Sequence, residues 1–275
     1  MLGTDLVDVL AARGVATTAL TRADLDVCDE SAVRDAVAGH DVVVNTAAWT
    51  DVDRAETAYE EALAVNGTAA GIVAAACAAI GACMIHLSTD YVFPGVASAP
   101  YPEDAPTDPV NAYGRSKLAG ERAVLAAGGT VVRTAWLYGA HGPNFVATML
   151  RLAGVRDTVD VVDDQRGQPT WSYALAGRLV ELGLRDTAPA GVYHGTASGE
   201  TTWYGLARAV FAGAGLDPDR VRPTTSDRFP RPAKRPAYGV LGHDRWAAAG
   251  LKPLPDWRGM LTEALPHLIA ARSAA

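Results

Sequence analysis

Apolar residues recur along the first half of the chain in two alternating rhythms. Leu6, Val7, Leu10 and Ala11 stand at helical spacing ahead of Arg13 and Gly14, so the opening "MLGTDLVDVLAARG" predicts an amphipathic helix closed by a glycine cap. Four short apolar or β-branched runs follow: "VATTAL" (15–20), "DVVVNTAA" (41–48), "CMIHLSTD" (83–90) and "TVVRTAWLYG" (130–139). Such runs predict buried parallel strands. Helical patterns fall between them, at Glu30 to Val37, Thr57 to Ile80 and Ala112 to Ala127. Repeated strand–helix units imply an α/β fold, a Rossmann-like doubly wound parallel sheet that binds ligands at the carboxyl ends of its strands.

Beyond Gly139 the pattern loosens. Helices are predicted at Trp203 to Gly213 and Trp257 to Ala271, and the prolines of "DRFPRPAKRPAYGVLG" (227–242) predict an extended surface arm instead of a core element. The expected organisation is a ligand-binding domain over residues 1–140 and a smaller substrate lobe over 141–275 packed against it.

Composition narrows the classes. The 275 residues are 49% hydrophobic and 20% charged, enough for a substantial core. A net charge of −7 without a basic run argues against nucleic acid as a partner. Cys28, Cys77 and Cys83 form neither a disulfide framework nor a metal spacing. The longest apolar stretch, Thr68 to His86, is broken by glycine and reads as a buried helix followed by a strand, not as a membrane span. The expectation is a soluble, cytoplasmic protein, monomer or homodimer, without membrane or nucleic-acid partners.

Chemistry concentrates in "AYGRSKLAGE" (112–121), where Tyr113 and Lys117 share one helical face at i and i+4. A phenol titrating near 10 is a poor proton donor or acceptor at neutral pH unless a cation stabilises its anion, and Lys117 is placed to do so. A chance pair on a solvated face is the alternative. In "STDYVF" (88–93), Ser88, Thr89 and Asp90 end a predicted strand at the ligand-binding mouth, where a hydroxyl can hold a carbonyl oxygen. A plain Asx or Ser/Thr turn would also place these residues there.

A Ser/Thr strand end followed some two dozen residues later by YxxxK resembles the extended short-chain dehydrogenase/reductase superfamily. Within it, "NTAAWTDVDRAE", "LSTDYVFPG", "NAYGRSKLAGE", "RTAWLYG" and "DDQRGQPTW" are, in order, similar to the dTDP-4-dehydrorhamnose reductases. The resemblance implies NAD(P)H-dependent reduction of the 4-keto group of a nucleotide-linked deoxysugar, dTDP-4-dehydro-L-rhamnose, to complete dTDP-L-rhamnose. It implies Tyr113 as proton donor, Lys117 as the group that lowers its pKa and holds the cofactor ribose, and Thr89 on the keto oxygen. Asp90 and Trp136 would contact the sugar. Asn66 would prop the site's helix and a proton-relay water, and Gln165 to Thr170 would form a substrate-side loop.

For the dinucleotide, the resemblance implies Asp26 and Val27 beside the adenine, and Ala48, Trp49 and Thr50 near the pyrophosphate and ribose. Small residues at Ala47 and Ala48 suit a close approach of backbone to cofactor. Arg22, after "VATTAL", suits a 2′-phosphate and favours NADPH, with NADH the alternative. Met1, Leu2 and Gly3 align with the end of the family's GxxGxxG turn. Its first strand and first two glycines have no counterpart in this chain, and the expectation is a start assigned at an internal Met. In "RPAYGVLGHDRW", Tyr238, Gly239 and Gly242 replace polar residues of the family pattern, while Arg235 and Pro236 remain, which leaves the sugar open. Two further readings stand beside the reductase: an epimerase or dehydratase of the same superfamily, and a non-catalytic regulatory subunit. No metal ligand set is expected; Asp163 and Asp164, the nearest approach to an Mg²⁺ site, read as a solvated pair.

Overall fold

The computed structural model describes residues 1–185 and 190–273. The first half runs α1 (Leu2–Ala12), α2 (Glu30–Val37), β1 (Val42–Asn45), α3 (Tyr59–Leu63), α4 (Ala69–Ile80), β2 (Cys83–Thr89), α5 (Ala112–Ala126) and β3 (Thr130–Thr134). The second runs β4 (Leu137–Tyr138), α6 (Phe145–Ala153), β5 (Val159–Val162), β6 (Arg166–Gly167), β7 (Thr170–Trp171), α7 (Ser172–Gly183) and β8 (Gly191–His194). It closes with β9 (Thr201–Thr202), α8 (Trp203–Gly213), β10 (Val221–Thr224), α9 (Asp244–Ala248) and α10 (Trp257–Ser273).

The main sheet has the order β1-β2-β3-β8, and every pairing in it is parallel. Alternation along β2 splits its side chains between two layers. Met84 packs with Val33, Val73 and Cys77 of α2 and α4, whereas Ile85 and Leu87 join α1, α7 and the second half in the larger core. β8 and α7 belong to the second half of the chain yet complete the sheet and cover its α1 side. Helix starts follow local chemistry: the Asp29 carboxylate accepts from Ser31 and Ala32 N–H at α2, and the Asn111 amide oxygen accepts from Gly114 N–H at α5.

Four sequence expectations are modified. Residues 15–20 lack regular structure and, Val15 apart, are exposed; they join no ladder, because β-branched residues form a strand only beside another strand's backbone groups and β1 is left as the sheet edge. The predicted helix from Thr57 to Ile80 is α3 and α4 joined by a π-helical turn, Ala64–Thr68, that carries Asn66. The run 130–139 breaks into β3 and β4 at Trp136, which has φ +47°. The proline arm lacks regular structure as expected, but it is not wholly a surface arm: Ala233, Val240 and Leu241 are buried, and Leu241 packs with Phe93 and Tyr101.

Candidate active site

β2 and α5 deliver the central side chains. Their close contact depends on glycine: a Cβ on Gly114 would lie 2.2 Å from Tyr91 O, and one on Gly120 would lie 2.1 Å from Asn66 O. The start of α5 therefore sits directly on the turn that follows β2, and its middle sits on the π-helical turn. Thr89, at the end of β2, donates to Asp90 Oδ1 at 3.1 Å and accepts from Tyr91 N–H at 3.2 Å. Its hydroxyl also favours the Tyr113 phenolate, against the stronger opposing effect of burial. Tyr91 packs edge-on against the Tyr113 ring, centroids 5.8 Å apart. Thr89, Asp90 and Tyr113 thus form one cluster.

Burial sets its electrostatics. Asp90 is 4% exposed, and desolvation pushes its carboxyl up to about 7 against the opposing hydrogen bonds from Thr89 and the backbone. The half-buried Tyr113 phenol is pushed up, first by desolvation and second by Asp90. Lys117 is turned toward β2. The Lys117 ammonium donates to Leu87 O at 2.6 Å and lies 3.3 Å from His86 Nε2. Burial pulls it down to about 8, with Glu121 opposing.

Trp136 stacks on Trp203 with ring centroids 3.6 Å apart, and Phe145 lies against the far partner. The Gln165–Thr170 loop approaches through Arg166, whose carbonyl accepts from Gly239 N–H at 2.8 Å, and Gly239 in turn abuts Asp90. Gln168 is a clamp inside this lobe: it binds Leu241 N–H and C=O and accepts from Thr196.

Comparison with known proteins decides among the readings. A family model, the RmlD substrate binding domain, matches residues 1–270. A dTDP-4-dehydrorhamnose reductase of Streptomyces griseus is 57% identical, covering 98% of this chain and 91% of its own. A dTDP-4-keto-6-deoxy-D-glucose reductase of Streptomyces niveus is 52% identical, covering 99% and 96%. The solved dTDP-4-dehydrorhamnose reductase of Bacillus anthracis, in complex with NADP, superposes with a TM-score of 0.92 at 33% identity, covering 96% and 95%. The chain belongs to the dTDP-4-dehydrorhamnose reductase family.

A reductase of this family works with a nicotinamide dinucleotide, and several residues fit one. Gly3 lies in the first turn of α1, where an added Cβ would be 3.1 Å from Thr46 Oγ1. The first amides of α1 thereby meet the carboxyl end of β1, a parallel-sheet edge suited to an anion. The Met1 carbonyl caps Thr4 and Asp5 N–H. The Leu2 side chain is buried in the main core, so its backbone is the part available to a ligand. After β1, Ala48 is half-buried and Thr50 exposed. Trp49 is clasped through its backbone by Asn66, whose amide also donates to Ser116 on α5. Asn66 thus ties the loop to the catalytic helix. Arg22 is exposed, Val27 half-buried, and the Asp26 carboxylate accepts from Cys28 N–H.

The sequence reading missed several residues. Asn45 and His86 are buried polar residues inside apolar strands, and Glu121 pairs with Arg133 one turn beyond Lys117. An unexplained polar letter in a β-branched run is the signal that could have found the first two. Asp163 and Asp164 hold Thr202 and Ser226, anchoring turns of the second half.

Proposed function

We propose that this reductase uses NADPH to reduce the 4-keto group of dTDP-4-dehydro-L-rhamnose to dTDP-L-rhamnose. The observation that carries the reading is the gathering of Thr89, Asp90 and Tyr113 in one cluster where the start of α5 sits on the turn after β2, with Lys117 one helical turn away. Relatives that act on such sugars, and the relative that binds NADP, support it. Bound nicotinamide supplies the hydride.

The chain supplies position and a proton. Thr89 hydrogen-bonds the keto oxygen, which fixes the carbonyl against the phenol and stabilises the charge that develops on it. Tyr113 is protonated at neutral pH and gives its proton to that oxygen as the carbonyl carbon is reduced. Asp90 and Trp136 flank the sugar, and Arg22 receives a 2′-phosphate. Asp90, near half-protonated at neutral pH, can donate or accept a hydrogen bond to a sugar hydroxyl.

The test is Tyr113→Phe, assayed by NADPH oxidation with dTDP-4-dehydro-L-rhamnose and by circular dichroism. A loss of about 10²–10⁴ in rate with an unchanged spectrum is expected for a general acid. A variant retaining more than about a tenth of the rate would refute the assignment.

A further inference from the structure

Among the described residues Trp136 is the one non-glycine with a positive φ, +47°. It stands just past Thr134, which pairs with Thr89 across the β2–β3 ladder, so the kink falls at the carboxyl end of the sheet beside Thr89. A left-handed backbone is disfavoured for a bulky aromatic residue and persists only where the surroundings over-determine it. Backbone contacts do part of this. The Trp136 carbonyl accepts from Thr170 N–H at 3.2 Å, and Gly167 lies so close to the indole that a Cβ there would fall 2.5 Å from Trp136 Cε2. The indole itself lies flat on Trp203, with the two planes 9° apart.

The two tryptophans are held unequally. Trp203 opens α8, where the Thr202 hydroxyl accepts from Gly205 N–H, and its ring lies against Phe145 of α6 with centroids 4.6 Å apart. Its indole N–H donates to Gln165 Oε1 at 3.2 Å, the Gln165 amide donates to Ser226 Oγ, and the Ser226 hydroxyl donates to Asp164. Trp136, by contrast, sits in the short break between β3 and β4. Trp203 is the fixed platform. We propose that Trp203 is a positioning residue for the reduction: its ring sets the plane of the Trp136 indole and, through it, the seat of the sugar. The proposal rests on the reading of Trp136 as a sugar contact. Gly167 touches the indole, the adjacent Arg166 carbonyl accepts from Gly239 N–H at 2.8 Å, and Gly239 abuts Asp90. A short run of backbone contacts therefore joins the indole to the cluster of Thr89, Asp90 and Tyr113.

A double-variant cycle on the full chain tests this. Trp136→Gly removes the indole and suits a left-handed backbone, and Trp203→Leu removes the platform while keeping its site apolar. An indole that holds the sugar equally before and during reduction contributes to binding. Each single variant should therefore raise KM for dTDP-4-dehydro-L-rhamnose about tenfold, with kcat and KM for NADPH unchanged within about twofold. The double variant should be no worse than Trp136→Gly alone, because Trp203 acts through that ring. Trp203→Phe restores a flat ring and should bring KM back to within about threefold of the parent. Fluorotryptophan labelling places a ¹⁹F reporter on each of the six tryptophans, and the signal lost in Trp136→Gly is that of Trp136. Trp203→Leu should shift this signal as the neighbouring ring current disappears. If circular dichroism shows Trp203→Leu unfolded, Trp203→Met, which fills irregular apolar space without a ring, takes its place in the cycle. Losses that multiply in the double variant, or a sugar KM that the Trp203 variant leaves at the parent value, overturn the proposal. A parental sugar KM in Trp136→Gly overturns the sugar-contact reading itself, and the proposal with it.

Discussion

Gly239 meets Asp90 so closely that a Cβ there would fall 2.5 Å from Asp90 Oδ2. It stands where the family pattern is polar, so the missing side chain leaves the Asp90 carboxyl seated beside Thr89. Gly239→Ser is expected to push that carboxyl aside and raise KM for the sugar nucleotide several-fold, about 1 kcal/mol or more of lost contact, with KM for NADPH unchanged. An unchanged sugar KM would place Gly239 off the substrate path. The contrast with Asn45 and His86 shows what single residues disclose in sequence. Tyr113 and Lys117 were legible because their spacing on a helix is itself a chemical statement. Asn45 and His86 were not, since a polar residue in an apolar strand reads equally well as a satisfied core group until its neighbour across the ladder is known.

Between β3 and α5 the structure places a buried ion pair, Arg133 with Glu121, whose two side chains are 4% and 1% exposed. The guanidinium also donates to Glu103 O and lies over the Phe93 ring, so it fastens the strand, the helix and the loop after β2 together. Removing one partner strands a charge in the core. Glu121→Gln or Arg133→Met is expected to cost about 3–5 kcal/mol, read as a lowered urea midpoint, and replacing both by apolar residues should restore much of the loss. Equal losses in the single and double variants would count against a coupled pair. Long amphipathic elements such as α2, α5 and α8 were readable at nearly their observed bounds, because burial and capping act within them. The failures lie where a non-local partner decides: residues 15–20 have the composition of a strand without a neighbour, and Trp136 breaks a continuous β-branched run to reach its stack on Trp203.

Across the chain, burial displaces histidines and carboxyls in opposite senses for stability. His86, His194 and His243 all titrate below their ordinary value because desolvation disfavours the imidazolium, His194 down to about 3. As pH falls below about 6.5 the unfolded chain takes up these protons and the fold does not, so each buried histidine lowers stability by about 1.4 kcal/mol per pH unit over its window. Asp90 acts the other way. With its folded pKa raised to about 7 from 3.8, it binds a proton in the fold before it does so in the unfolded chain. Its contribution is fully present below about 4 and is lost as pH rises through 7, and Asp5, raised chiefly by burial, has the same sense. Asp90→Asn removes the penalty of a buried carboxylate without changing shape. The variant should therefore be more stable than the parent at pH 8, by on the order of 3 kcal/mol, and this advantage should vanish toward pH 4. Urea titrations of both proteins at several pH values measure it. A difference that does not change with pH would mean that Asp90 keeps an ordinary carboxylate pKa, and with it no capacity to donate a hydrogen bond to a sugar hydroxyl at neutral pH.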